Sequence, residues 1–289
     1  MELNKIYNED CLEGMRKISD DSVDLVVTSP PYDDLRSYNG YAFNFESTAK
    51  ELYRIVKEGG VVVWIVSDST VKGSETGTSF KQALFFKEIG FNLHDTMIYL
   101  KDNPPPVGGN NRYYQSFEYM FIFSKGKPKT FNASLVKRRN KYNDKRTQRI
   151  RSVTRNKDGQ FPKKKIVKNN EFVKRKNVWT YVVGGGNMTE NKKNYNHPAM
   201  FPFQLSLDHI LSWSNENDIV LDPFMGSGTT AVACIDTNRN YLGFEVSEEY
   251  CKISLDRIKE CKEKRNEELL WKNYQTVFRM ELFGLSYYG

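Results

Sequence analysis

A chain of 289 residues can bury a sizeable core, either as one large α/β domain or as a core carrying a smaller inserted unit. No run approaches the ~20 apolar residues of a bilayer-spanning helix, and Met1-Glu2-Leu3-Asn4-Lys5 opens no signal peptide, so a soluble, intracellular protein is expected. The net charge of +7 is unevenly spread: residues 125–193 hold 22 Lys or Arg against 4 Asp or Glu, and the remainder 21 against 32. An acidic body with a basic attachment suggests a polyanionic partner. Cys11, Cys234, Cys251 and Cys261 lack the Cys-x-x-Cys spacing of a metal site, so reduced thiols and no metal are expected.

In chain order, residues 3–10 read as a short strand ending in acid and 11–18 as a helix that Asp10 can cap. The apolar run 23–27 has no periodicity, as a strand covered on both faces should. It leads into Thr28-Ser29-Pro30-Pro31-Tyr32, and 33–45 reads as a polar, aromatic loop able to order over a site at that strand end. Residues 46–57 have helical spacing and stop at Gly59-Gly60, 61–66 form a second buried strand, 80–89 a helix ending at Gly90, and 93–100 and 116–124 two successive strands. Without a strong helix between them, those two strands predict an antiparallel hairpin at the sheet edge. From 125 to 195 the long apolar runs disappear, and Lys137-Arg138-Arg139, Lys163-Lys164-Lys165 and Lys174-Arg175-Lys176 alternate with aromatics; 178–181 looks like the return to the core. His197 precedes a helix reaching about Trp213 and reads as structural. Residues 217–221 form a strand entering Asp222-Pro223-Phe224-Met225-Gly226-Ser227-Gly228-Thr229-Thr230, followed by a helix over 229–237, a strand over 241–245 and a long helix capped by Ser247.

Ser29-Pro30-Pro31-Tyr32 together with the later Asp-Pro-Phe-x-Gly-Ser-Gly-Thr-Thr resembles the DNA amino-methyltransferases, which methylate an exocyclic nitrogen of cytosine or adenine with S-adenosylmethionine. The catalytic motif precedes the cofactor motif, the permuted order of that family's beta group. The resemblance implies a Rossmann-like α/β sheet, mostly parallel with an antiparallel edge hairpin. It also implies a division into a catalytic half (1–124), a basic target-recognition insert (125–195) and a cofactor-binding half with a C-terminal helix and tail (196–289). It implies double-stranded DNA as partner, with a separately acting restriction endonuclease as a further candidate and a monomer or homodimer as the functional form. None of the cysteines follows a proline, which removes the nucleophile that carbon-5 methylation of cytosine needs.

Two prolines fix φ and remove two N–H donors, leaving the Ser29 hydroxyl and the Pro30 carbonyl as acceptors beside the Tyr32 ring. Accepting the hydrogens of an exocyclic amine frees its lone pair for direct attack on a sulfonium methyl, and an amine paired inside a duplex must first be flipped out. Gly226 and Gly228 let the backbone approach a ligand, with no following Lys as in a phosphate-binding loop. By resemblance, that loop (Asp222, Pro223, Phe224, Gly226, Ser227, Gly228, Thr229) holds the amino-acid part of the cofactor. Glu245 meets its ribose, Asp10 and Cys11 lie near its adenine, and Phe201 and Pro202 border it. Lys137 to Lys176 would contact DNA phosphates. In the family it resembles, Ser rather than Asp before Pro-Pro-Tyr goes more often with cytosine N4 than with adenine N6, so the resemblance favours cytosine N4, with adenine N6 as the alternative.

Overall fold

The computed structural model describes residues 1–31, 43–104, 111–137, 157, 159–160, 172–183 and 202–282. The chain divides into a larger unit, Met1–Asn132 with Asn177–Gly289, and a smaller one, Ala133–Lys176. The larger unit begins with β1 (Lys5–Tyr7), α1 (Cys11–Met15), β2 (Val23–Thr28), α2 (Phe45–Ile55) and β3 (Val56–Val66). A small hairpin of β4 (Thr70–Val71) and β5 (Ser74–Glu75) follows, then α3 (Thr78–Glu88), β6 (Asn92–Lys101) and β7 (Phe117–Ser124). The smaller unit supplies β8 (Leu135–Lys137) and β9 (Phe172–Lys174). The chain returns through β10 (Val178–Tyr181), α4 (Phe203–Trp213), β11 (Ile219–Asp222), α5 (Thr229–Asp236), β12 (Asn240–Phe244) and α6 (Glu248–Leu282).

Eight strands form one sheet in the order β1-β12-β11-β2-β3-β7-β6-β10. β7 runs antiparallel to both its neighbours, and every other pairing is parallel. The expected hairpin of β6 and β7 is present, but it does not end the sheet: β10 pairs with β6 and forms the edge beyond it. The apolar run of β2 lacks periodicity because both faces are covered. Leu25 and Val27 pack with residues of α4, α5 and α6, whereas Val26 packs on the other face with residues of α1, α2 and α3. Gly59 and Gly60, read as a helix stop, lie within β3, which starts directly at Val56. Gly59 takes φ +82 where a Cβ would meet the Lys129 stem at 2.4 Å, so a side chain would fail there on both counts. Among the described residues no helix is long and apolar enough to cross a membrane.

In the smaller unit β8 and β9 pair antiparallel, Leu135 opposite Lys174 and Lys137 opposite Phe172, and the Arg175 N–H donates to the Ser134 carbonyl at 2.9 Å.

Candidate active site at the switch point

β2 leads through α2 to β3 on one side, and β11 leads through α5 to β12 on the other. Since α2 and α5 pack on opposite faces, the winding reverses between the adjacent strands β2 and β11. A crevice at the carboxyl ends of such strands is where open α/β sheets bind ligands. Ser29-Pro30-Pro31 follows β2, and the glycine bend follows β11, so the fold brings both sequence motifs to this one crevice. Ser29 and Pro31 are half-buried and Pro30 is buried.

A carboxylate joins the two strand ends. Asp222, 1% exposed, accepts from the Thr28 hydroxyl at 2.6 Å and the Phe224 N–H at 3.1 Å on one oxygen, and from the Thr230 hydroxyl at 2.7 Å on the other. Burial pushes its pKa from 3.8 up to about 6, against the pull of those donors. The bend itself needs glycine: Gly226 has φ +54, Gly228 has φ +81, and a Cβ on Gly228 would lie 2.8 Å from Cβ of Ser254 on α6. Two further groups fasten the bend. Glu245, just past β12, accepts from the Gly226 N–H and the Ser247 N–H, each at 2.8 Å. Arg257 on α6, buried, donates to the Ser227 carbonyl at 2.6 Å and to the hydroxyls of Ser227 at 2.8 Å and Thr229 at 3.2 Å. Burial raises the Glu245 carboxyl and lowers the Arg257 guanidinium from their ordinary values.

The remaining candidates are spread around this crevice and beyond it. Asp10 caps α1, its carboxylate accepting from the N–H groups of Leu12 and Glu13. β1 lies beside β12, and Asn8 donates to the carbonyls of Glu245 and Val246, so the start of α1 adjoins the Glu245 turn. The Cys11 thiol points into the core, its pKa pushed up to about 12 by burial. Pro202, buried, precedes α4. Pro223 is buried, and Phe224 meets Phe43 edge-on at 5.1 Å. Lys137, Lys174, Arg175 and Lys176 belong to the smaller unit, where Lys174 and Lys176 are exposed and Arg175 half-buried. Tyr32, most of the loop 33–45, Phe201, His197, Arg138, Arg139, Lys163, Lys164 and Lys165 lie outside the described residues.

The donor set discriminates between ligands. A buried carboxylate, Asp222, and a half-buried one, Glu245, beside a glycine bend disfavour a phosphate, which calls for cations and free N–H groups, and suit a ligand carrying ammonium and sulfonium charge with ribose hydroxyls. Glu245 is held through backbone N–H groups, and its carboxylate keeps acceptor capacity beyond them. These residues fit S-adenosylmethionine.

A family described as DNA methylase, the N6/N4 methyltransferases, matches residues 23–256. The chain belongs to this family. This DNA methylase is 59% identical over 246 residues to the orphan methyltransferase M.BamHII of Bacillus amyloliquefaciens, covering 84% of its own length and 91% of that protein's. Among solved structures, the cytosine-N4-specific PvuII DNA methyltransferase superposes with a TM-score of 0.64 at 19% identity, covering 91% of each chain. The complex of M1.HpyAVI with S-adenosylmethionine does so with a TM-score of 0.58 at 24% identity, covering 88% of this chain and 98% of that one. Both likenesses establish the same Rossmann-like fold for this methylase.

Sequence reading misses four groups of the site: Thr28, Thr230, Ser254 and Arg257. Thr28 and Thr230 stand inside the motifs and carry a signal only once their strand ends are neighbours. Arg257 and Ser254 sit on a helix whose other residues read as an ordinary amphipathic surface.

Proposed function

We propose that this DNA methylase transfers a methyl group from S-adenosylmethionine to the exocyclic N4 of a cytosine flipped out of duplex DNA. The observation that carries the reading is the adjacency of β2 and β11 at the switch point, with the proline corner on one and the glycine bend on the other.

S-adenosylmethionine, the cofactor of this family, supplies an electrophilic methyl group. The backbone at Gly226 and Gly228 and the carboxylate of Glu245 bind and orient it. The Ser29 hydroxyl oxygen and the Pro30 carbonyl accept the two hydrogens of the target amine, which draws its lone pair out of the ring. Neither proline has an N–H to compete for that lone pair. Tyr32 stacks on the extruded base, and the residues around Lys137 to Lys176 grip phosphate. The methylated nitrogen then sheds its surplus proton, first onto the acceptor it already faces and from there to water. Ser29 favours cytosine because its side chain is shorter than the carboxylate that it replaces and holds the amine closer to the strand end.

The test is transfer of tritium from labelled S-adenosylmethionine into duplex DNA, followed by nucleoside analysis. N4-methylcytosine is the expected product. N6-methyladenine would redirect the base assignment to adenine, and absence of label from DNA with retained cofactor binding would overturn the activity.

A further inference from the structure

The ladder between β2 and β11 is short. Val220 pairs with Leu25 and Leu221 with Val26, whereas β2 stays paired with β3 as far as Thr28 and β11 with β12 as far as Asp222. Backbone pairing between the two strands therefore stops at Val26 and Leu221, just short of their carboxyl ends. What joins the strand ends beyond that point is the side-chain bridge from Thr28 to one oxygen of Asp222 and from its other oxygen to Thr230. Both threonines are fully buried. The Thr230 hydroxyl lies 3.5 Å from the Val27 carbonyl, so its proton is committed to the carboxylate at 2.7 Å.

We propose that Thr28 and Thr230 are positioning residues for methyl transfer, fixing the Ser29 corner against the glycine bend through the two oxygens of Asp222. The proposal rests on the methyltransferase reading above. Thr28 precedes Ser29 directly, and the two prolines after it make the corner stiff, so a displacement at Thr28 reaches the Pro30 carbonyl without being absorbed on the way. On the other side, Thr230 lies in the first turn of α5, and Asp222 also holds the Phe224 N–H at the entry to the bend. A buried carboxylate is an expensive way to join two strands, and an apolar contact of the same volume would stabilise the fold at least as well. A hydrogen-bonded carboxylate instead fixes distance and direction, which transfer between two bound reactants requires, since a misplacement of about 1 Å costs on the order of 10²-fold in rate.

Thr28→Val keeps the shape and removes the hydroxyl, whereas Thr28→Ser keeps the hydroxyl. We expect Thr28→Val to slow single-turnover methylation by about 10- to 100-fold, well below its melting temperature, with the affinity for S-adenosylhomocysteine measured by calorimetry held within about threefold. Thr28→Ser should recover most of the rate. Thr230→Val should slow the same step and also weaken S-adenosylhomocysteine binding, and the double variant should lose much less than the product of the two single losses, because both act on one carboxylate. A Thr28→Val rate within twofold of the parent, a serine variant as slow as the valine one, or losses that multiply would each overturn the proposal. If Thr28→Val does not fold, Thr28→Ser and Thr230→Val carry the test: an impaired serine variant or an unimpaired Thr230→Val overturns it. Absence of methylation by the unaltered protein would instead strike the function proposed above.

Discussion

The crevice edge of the large sheet and the described part of the small unit are built on different principles. At the crevice, the polar groups that shape the bend are held by several hydrogen bonds each: buried Asp222 by three donors, half-buried Glu245 by backbone N–H groups, and buried Arg257 by three acceptors. In the small unit the described structure is a ladder of three residue pairs, flanked by basic side chains. The difference teaches what each job demands. Aligning an amine with a methyl group requires geometry, which is provided by buried hydrogen bonds with few alternatives. Holding a phosphodiester backbone, the task proposed above for the basic residues of the small unit, requires charge, which acts over several ångströms and tolerates latitude in position.

That contrast can be broken from the crevice side first. Replacing Tyr32 by Ala should lower methylation by roughly 10³-fold, combining the missing base stacking with a misplaced amine, while leaving the dissociation constant for S-adenosylhomocysteine within about threefold. Turnover retained above a tenth of the parent value would remove Tyr32 from the stacking role.

Next in size is the pH dependence of stability contributed by Asp222. Its folded pKa of about 6 lies above its ordinary 3.8, so the folded state holds the proton more tightly than the unfolded one. The cost of burying the ionised group is therefore complete above about pH 6 and is relieved as pH falls toward 4, a swing of about 3 kcal/mol. Glu245 and the Cys234 thiol share this environment, and the Glu245 charge contributes to raising Asp222. Denaturant unfolding of the parent and of Asp222→Asn at pH 4 and pH 7 should show the parent gaining on the variant at the acid end; parallel curves would mean that Asp222 is not the group titrating.

Arg257→Leu should come third. It leaves the Ser227 carbonyl and two hydroxyls without their buried donor, costing about 1–3 kcal/mol in unfolding free energy and weakening S-adenosylhomocysteine binding in calorimetry. Reduced stability with cofactor affinity intact would confine Arg257 to the fold.

The smallest effect should come from the small unit. Replacing Lys174, Arg175 and Lys176 by Ala should flatten the slope of log affinity for duplex DNA against log salt by about 0.9 for each phosphate no longer neutralised. A change in cofactor affinity from the same variant would erase the division of labour between the two regions.

Much of this arrangement is legible in the chain itself. The unpatterned run 23–27 announces a strand covered twice, and the glycines of Asp222-Pro223-Phe224-Met225-Gly226-Ser227-Gly228 announce a bend closed to side chains, because both signals are local. The bridge through Asp222 is not legible, since a threonine before Ser-Pro-Pro looks the same with or without a carboxylate beside it. Gly59 and Gly60 mislead for a related reason. A glycine pair ends helices and also lets a strand pass under another segment, and only the Lys129 stem lying over Gly59 separates the two. The β4–β5 hairpin has no counterpart in the sequence reading, and Asp68, which accepts from the backbone and side chain of Ser79, fixes the start of α3 two residues before the expected position.

Thr28 and Asp222 stand 194 residues apart in the chain. On a ribosome adding about 5–20 residues per second, roughly 10 to 40 s separate the emergence of β2 from that of its partner β11. During that interval β2 can pair with β3 but shows an open edge on the side where β11 will dock, a template that other chains could occupy. The crevice thus closes late in synthesis, with β12 still to follow and pair with β1 and β11, and the newborn chain carries that open edge before it can touch either the methyl donor or a base.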